Sequence, residues 1–97
     1  METRIKAIHF DITEKLTAFI NKKVERIARR FPTIESVEIS LKVVKPETAM
    51  NKQAIVIMAV PQTEDMVADK TADTFEEAVD LALDALEKQL EKNKNKK

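Results

Sequence analysis

The sequence has no glycine, no cysteine, no tryptophan and no tyrosine, and a single histidine. At average usage a chain of 97 residues would carry about seven glycines. Without them the backbone has no cheap route to positive φ, which excludes glycine loops that cradle phosphates, of either the P-loop or the dinucleotide type. Without cysteine there is no disulfide frame, no thiol nucleophile and no thiolate metal site. His9 alone builds neither a histidine metal site nor a Ser/His/Asp triad. The apolar runs are too short to span a membrane, and Met1-Glu2-Thr3-Arg4 has no signal-peptide character. These absences point to a soluble cytoplasmic binding domain, with no cofactor, no metal, no membrane partner and no enzymatic activity. The length suits one domain that buries about 60–70% of its unfolded surface.

Thr3 to Phe10 carries Ile5, Ala7, Ile8 and Phe10 in imperfect alternation and reads as a short strand. Asp11 or Thr13 then supplies an N-cap, with Glu14 at the positive end of the following helix. Leu16, Phe19, Ile20, Val24, Ile27 and Phe31 recur at helical spacing and stop before Pro32, which predicts a first helix over Thr13 to Phe31. Glu35 to Lys45 alternates, with Val37, Ile39, Leu41 and Val43 on one face. After a loop at Pro46 to Asn51, Lys52 to Val60 forms another strand. Its segment Ala54 to Val60 is apolar on both faces, so something should cover each side.

A polar connection, Gln62-Thr63-Glu64-Asp65, predicts a hairpin into a weaker strand over Met66 to Ala72. Thr74 and Glu77 have capping-box spacing, and Phe75, Val79, Ala82, Leu83, Leu86 and Leu90 give the stripe of a second helix. The order β-α-β-β-β-α describes an α+β two-layer sandwich, both helices on one face of a four-stranded, mostly antiparallel sheet. Residues 1–92 form the single domain, and Asn93 to Lys97 is expected to be a disordered, lysine-rich tail.

The 17 basic and 17 acidic side chains cancel, which at first sight argues against nucleic acid. The balance is local, however. The first helix has six basic residues (Lys15, Lys22, Lys23, Arg26, Arg29, Arg30) against Glu14 and Glu25, a balance of +4. Residues 32–87 have four basic and twelve acidic residues, a balance of −8, and the last ten return +4. At ~100° per residue the six cations of the first helix share one flank of its apolar stripe, with both acids beyond the other. On the second helix Lys88 and Lys92 share a flank with Leu81 and Ala85, and Asp80, Asp84, Glu87 and Glu91 are expected on the outer face. Two such helices side by side would join their basic flanks into a groove able to neutralise phosphates whatever the net charge. The competing reading is a solvated surface, with Glu25 pairing Arg29 at i, i+4.

Other residues carry less. His9, beside Phe10 at a strand end, reads as a satisfied structural histidine. Asp65, Asp69 and Asp73, on a strand and its exit, read as a solvated edge rather than a metal or acid pair. Met50, Met58 and Met66 read as packing or loop residues. Without tyrosine or tryptophan there is no stacking platform for unpaired bases, so an RNA partner would be read by shape and phosphate.

The run Ile12-Thr13-Glu14-Lys15-Leu16, the helix spacing Phe19/Lys23/Arg26/Arg29/Phe31, Val37-x-Ile39-x-Leu41 and Asp73-Thr74-Phe75-Glu76-Glu77-Ala78-Val79-Asp80 leading to Leu86-Glu87-Lys88-Gln89-Leu90 resemble the ribosome hibernation-promoting factor family. The same family is known as ribosome-associated inhibitor or sigma-54 modulation protein. The resemblance covers the whole chain in order and is to the short form, without the C-terminal dimerisation domain of long members.

It implies a fold similar to double-stranded RNA-binding domains. It also implies a non-enzymatic protein that binds the small ribosomal subunit near the decoding centre and inhibits translation in stress or stationary phase. Its partner would be small-subunit rRNA, not DNA. The family's rRNA-binding positions fall here on Lys23, Arg26 and Arg29 of the first helix and Lys88 and Lys92 of the second; Lys22 and Arg30 lie on the same flank by the helical wheel. Many members carry a lysine where this chain has Ala85, which thins the second-helix half of the groove. The alternative function is a protein-interaction or homodimerisation module that uses an apolar sheet face.

Overall fold

The computed structural model describes residues 1–44, 50–61 and 64–95. The elements are β1 (Glu2–Ala7), α1 (Glu14–Arg30), β2 (Ser36–Val43), β3 (Lys52–Ala59), β4 (Met66–Ala72) and α2 (Phe75–Asn95). The strands lie in the sheet order β1-β2-β3-β4. β1 pairs parallel to β2, while β2–β3 and β3–β4 are antiparallel. A parallel pair needs a crossover, and α1 supplies it. The expected architecture is therefore present, with element ends shifted by a few residues.

Capping sets both helix starts. Thr13 has extended backbone, and its Oγ1 accepts the Leu16 amide at 3.1 Å. At the other end the Phe31 amide still bonds Ile27 O at 2.9 Å, and Pro32 ends the helix. Thr74 Oγ1 accepts the Glu77 amide at 3.1 Å, the forward half of the capping box. α2 runs through Asn95, so the backbone from Asn93 to Asn95 is helical instead of a loose tail; 96–97 lie outside the described residues. The expected loop over Pro46 to Asn51 and the hairpin turn at Gln62-Thr63 also fall largely outside them.

Both helices cover one face of the sheet. Leu16, Ile20, Val24 and Ile27 of α1 and Val79, Leu83, Leu86 and Leu90 of α2 form one core with Val37, Ile39 and Leu41 of β2 and Ala54, Val56 and Met58 of β3. The opposite sheet face has no covering layer among the described residues. Ile55 and Ile57 point there and are half-buried, not enclosed as the doubly apolar run suggests. Their cross-strand neighbours explain how: Ile55 lies between Ser40 and Asp69, Ile57 between Glu38 and Val67. Val67, on the edge strand, is 53% exposed.

The lack of glycine has a visible consequence. The backbone turns through positive φ at His9 (64°) and Met50 (54°), side chains that ordinarily avoid it. The Met50 amide donates to Asp73 Oδ1 at 2.7 Å, which holds that turn against the start of α2. His9 is exposed at the exit of β1 and is a turn residue, not the satisfied strand-end histidine its sequence context suggests. The strand stops at Ala7, freeing Phe10 to stack on Phe75 with ring centroids 4.8 Å apart.

Candidate nucleic-acid interface

The cationic flank of α1 faces α2. Between the helices is a cleft of about 420 Å³ whose polar rim includes Lys23, Arg26, Arg29 and Arg30, and whose floor includes Ile27 and Leu83. The rim also carries Asp80, Asp84 and Glu87 of α2. This overturns one expectation: Asp80, Glu87 and Glu91 do not point away from the first helix but bond to it.

Lys23 pairs with Asp80, and Arg30 with both Glu87 and Glu91. Lys23 and Arg30 are seven residues apart, and so are Asp80 and Glu87. The two helices therefore run side by side in the same direction, matching two-turn rows of opposite sign. Each of these two cations also lies over an aromatic ring, Lys23 over one within α1 and Arg30 over the one that follows its end. Lys23 Nζ is 5.7 Å from the Phe19 centroid, and Arg30 Cζ is 5.2 Å from that of Phe31. The Arg30 guanidinium is held above its ordinary pKa, chiefly by the hydrogen bond it donates to the Glu91 carboxylate.

The remaining cations stand differently. Lys22, Arg26 and Arg29 are exposed and form no ion pair with any described residue. The Glu25–Arg29 pair that the spacing permits is not made. Lys15, one turn before Phe19, is exposed and unpaired in the same sense. On α2, Lys88 pairs with Asp84 at 3.4 Å, and both side chains are mostly exposed. Lys92, one turn further on, is exposed and without an ion partner among the described residues. Neither lysine is among the described residues lining the cleft.

The two basic flanks thus do not join directly. Across the surface the order is the α1 cations, then the acid row of α2, then Lys88. Four of the seven sequence-derived candidates (Lys22, Arg26, Arg29, Lys92) are open to a ligand; three (Lys23, Arg30, Lys88) are engaged. Ala85 is half-buried against the core.

The other acidic residues take structural parts. Asp69 accepts from Gln53 Nε2 at 2.8 Å on the open sheet face, and Asp73 holds Met50. Among the described residues, no group of three or more His, Asp or Glu is gathered where it could hold a metal ion, and no helix is long and apolar enough to cross a membrane.

The chain is 30% identical over 100 residues to a ribosome hibernation promoting factor of Azotobacter vinelandii, covering 99% of this chain and 85% of that relative. It is 27% identical over 96 residues to a protein of the same name in Pseudomonas putida, covering 99% and 89%. Among solved structures it is similar to a ribosomal subunit interface protein from Coxiella burnetii, with a TM-score of 0.82 and 26% identity over 99% of this chain and all of the other. The N-terminal domain of Protein Y from Thermus thermophilus shares the fold, with a TM-score of 0.78 at 19% identity over 95% of this chain and 98% of that one. With the model for Sigma 54 modulation protein / S30EA ribosomal protein matching residues 3–97, the chain belongs to that family.

Proposed function

We propose that this non-enzymatic binding protein is a ribosome hibernation factor, which binds the small ribosomal subunit near the decoding centre and inhibits translation in stress or stationary phase. The single observation that carries the rRNA contact is the row of exposed α1 cations Lys22, Arg26 and Arg29, without ion partners among the described residues, of which the two arginines line the cleft. The names of the relatives in Azotobacter and Pseudomonas support the hibernation role, and that of the Coxiella structure supports a ribosomal location.

Lys88 and Lys92 extend the contact on α2, while Lys23 and Arg30 lie within the same surface but already bear carboxylate partners. Arginine forks suit phosphate oxygens, and a rigid helix presents them with no backbone left to order. Inhibition follows by occlusion: a domain seated where tRNA and mRNA pass blocks both without any chemistry.

The test is sedimentation through a sucrose cushion with purified ribosomes. Wild type should pellet with the small subunit, and a variant with Arg26, Arg29, Lys88 and Lys92 each changed to Glu should stay in the supernatant. Equal pelleting would reject the site, and no pelleting of either would reject the function.

A second reading rests on the uncovered sheet face, where Ile55, Ile57, Ala59 and Val67 form an apolar centre. It makes the protein a homodimer through that face, and a monomeric mass by light scattering at micromolar concentration would dismiss it.

A further inference from the structure

The acids of α2 sort the cations of α1 into two classes, and that sorting has no evident need in a fold already held by its core. Lys23 and Arg30 are each gripped by a carboxylate across the cleft and by an aromatic ring beneath. Arg26 and Arg29, on the same flank, have neither among the described residues. Asp80 and Glu91 keep about half of their side-chain surface in water, 53% and 47%, so their pairs contribute little to stability. A solvent-facing carboxylate row opposed to a cationic row occupies the position that phosphates of a bound strand would take.

We propose that Asp80, Glu87 and Glu91 are specificity-determining residues: they occupy Lys23 and Arg30 in place of phosphate, so that RNA in general meets only the unpaired cations of the surface. The inference rests on the proposed ribosome binding, which gives the discrimination its purpose. The physics is counterion bookkeeping. A free cation that meets a phosphate releases a counterion condensed on the RNA; a cation that stays on its carboxylate meets no phosphate and releases none. Paired cations therefore add almost nothing to non-specific affinity or to its salt dependence. A rigid RNA surface whose shape places phosphates in the cleft overcomes this by multiple simultaneous contacts, and bulk RNA does not.

The experiment measures binding of a fluorescent 16-base-pair RNA duplex of arbitrary sequence, by anisotropy between 50 and 200 mM salt. Wild type is compared with the triple variant Asp80→Asn/Glu87→Gln/Glu91→Gln. Two freed cations, at about 0.7–0.9 in slope each, should make the logarithmic salt slope steeper by about 1.4–1.8. Over that fourfold range the variant then loses about 7–12-fold more affinity than wild type, from a tighter starting point at low salt. Adding Lys23→Ala/Arg30→Ala to the amide variant should return the slope to its wild-type value. Should the triple variant fold poorly, Asp80→Asn alone, at an exposed position, frees Lys23 and should steepen the slope by about half that amount.

With unlabelled duplex as competitor in a ribosome pelleting assay, the variant should be drawn off ribosomes at concentrations that leave wild type bound. An unchanged duplex affinity and slope, with thermal stability lowered, overturns the proposal and leaves the pairs as helix-to-helix ties. Failure of wild type to bind ribosomes refutes the hibernation reading instead, since the duplex measurement judges the acid row by itself.

Discussion

Replacing Arg26 and Arg29 by alanine tests the phosphate contacts proposed for these two residues of the first helix. Both side chains are exposed, and neither makes an ion pair with a described residue, so nothing in the fold depends on their charge. Their removal should change unfolding free energy by no more than about 0.5 kcal/mol. Each would release about 0.7–0.9 counterion on meeting a phosphate, so the pair accounts for about 1.4–1.8 of the slope of log affinity against log salt. The advantage of wild type over the variant should therefore shrink about 7–12-fold between 50 and 200 mM salt.

The assay is anisotropy of a dye-labelled protein titrated with small ribosomal subunits at three salt concentrations, with circular dichroism to verify the fold. Parallel salt lines for the two proteins would refute the reasoning, because they would mean that neither arginine meets a phosphate. A variant equal to wild type at every salt would refute it too, and would move the site off this flank of α1.

Two further outcomes concern the fold. Ile39 is fully buried in β2 between Ile5 and Val56, so Ile39→Ala should cost about 2–5 kcal/mol in urea unfolding; a loss below 1 kcal/mol would show that the core collapses around the vacancy. His9 sits at a φ of 64° and is exposed; His9→Gly should stabilise by about 0.5 kcal/mol, the relief of the left-handed strain less the entropy of a freer unfolded chain, and a lowered melting temperature would contradict it.

Element order and core were legible in the sequence because each rests on a local signal. Thr13, Thr74 and Pro32 mark helix ends, and the alternation Val37, Ile39, Leu41 fixes which face of β2 is buried. The parallel pairing of β1 with β2 is not local: nothing in either strand distinguishes it from an antiparallel edge, and only the long crossover between them hints at it. The positive φ of His9 and Met50 was hidden for a related reason. A chain without glycine must still turn, and which residue takes the strain depends on where the strand stops and what packs next, here Phe10 on Phe75 and Asp73 on the Met50 amide.

The site was legible to the level of one helix and no further. A helical wheel finds the basic flank of α1 and the acid row of α2, since both are properties of one element. It does not say which flank of α2 faces α1, because that depends on how the two helices sit over the sheet. Placing the acids outside was the natural reading for charged groups, and it was wrong because seating the apolar face of α2 on the sheet turns that row toward α1, where Asp80 and Glu91 pair while staying half in water. One signal was present all the same: Lys23 and Arg30 share the seven-residue spacing of Asp80 and Glu87, as two helices running in the same direction require.

That spacing also changes what the zero net charge means. A domain could reach neutrality by scattering acids over surfaces remote from its cations, and the cationic flank would then attract any polyanion at full strength. Here three of the acids stand directly against that flank, so part of its positive charge is cancelled at the flank itself, within a Debye length. The exposed remainder, Lys15, Lys22, Arg26 and Arg29, is a short row on a rigid helix; under the proposed ribosome binding it is too few charges to hold duplex RNA tightly at physiological salt and enough to lock a docked domain whose shape fits. On that proposal affinity follows from complementarity of form, with charge setting the final register.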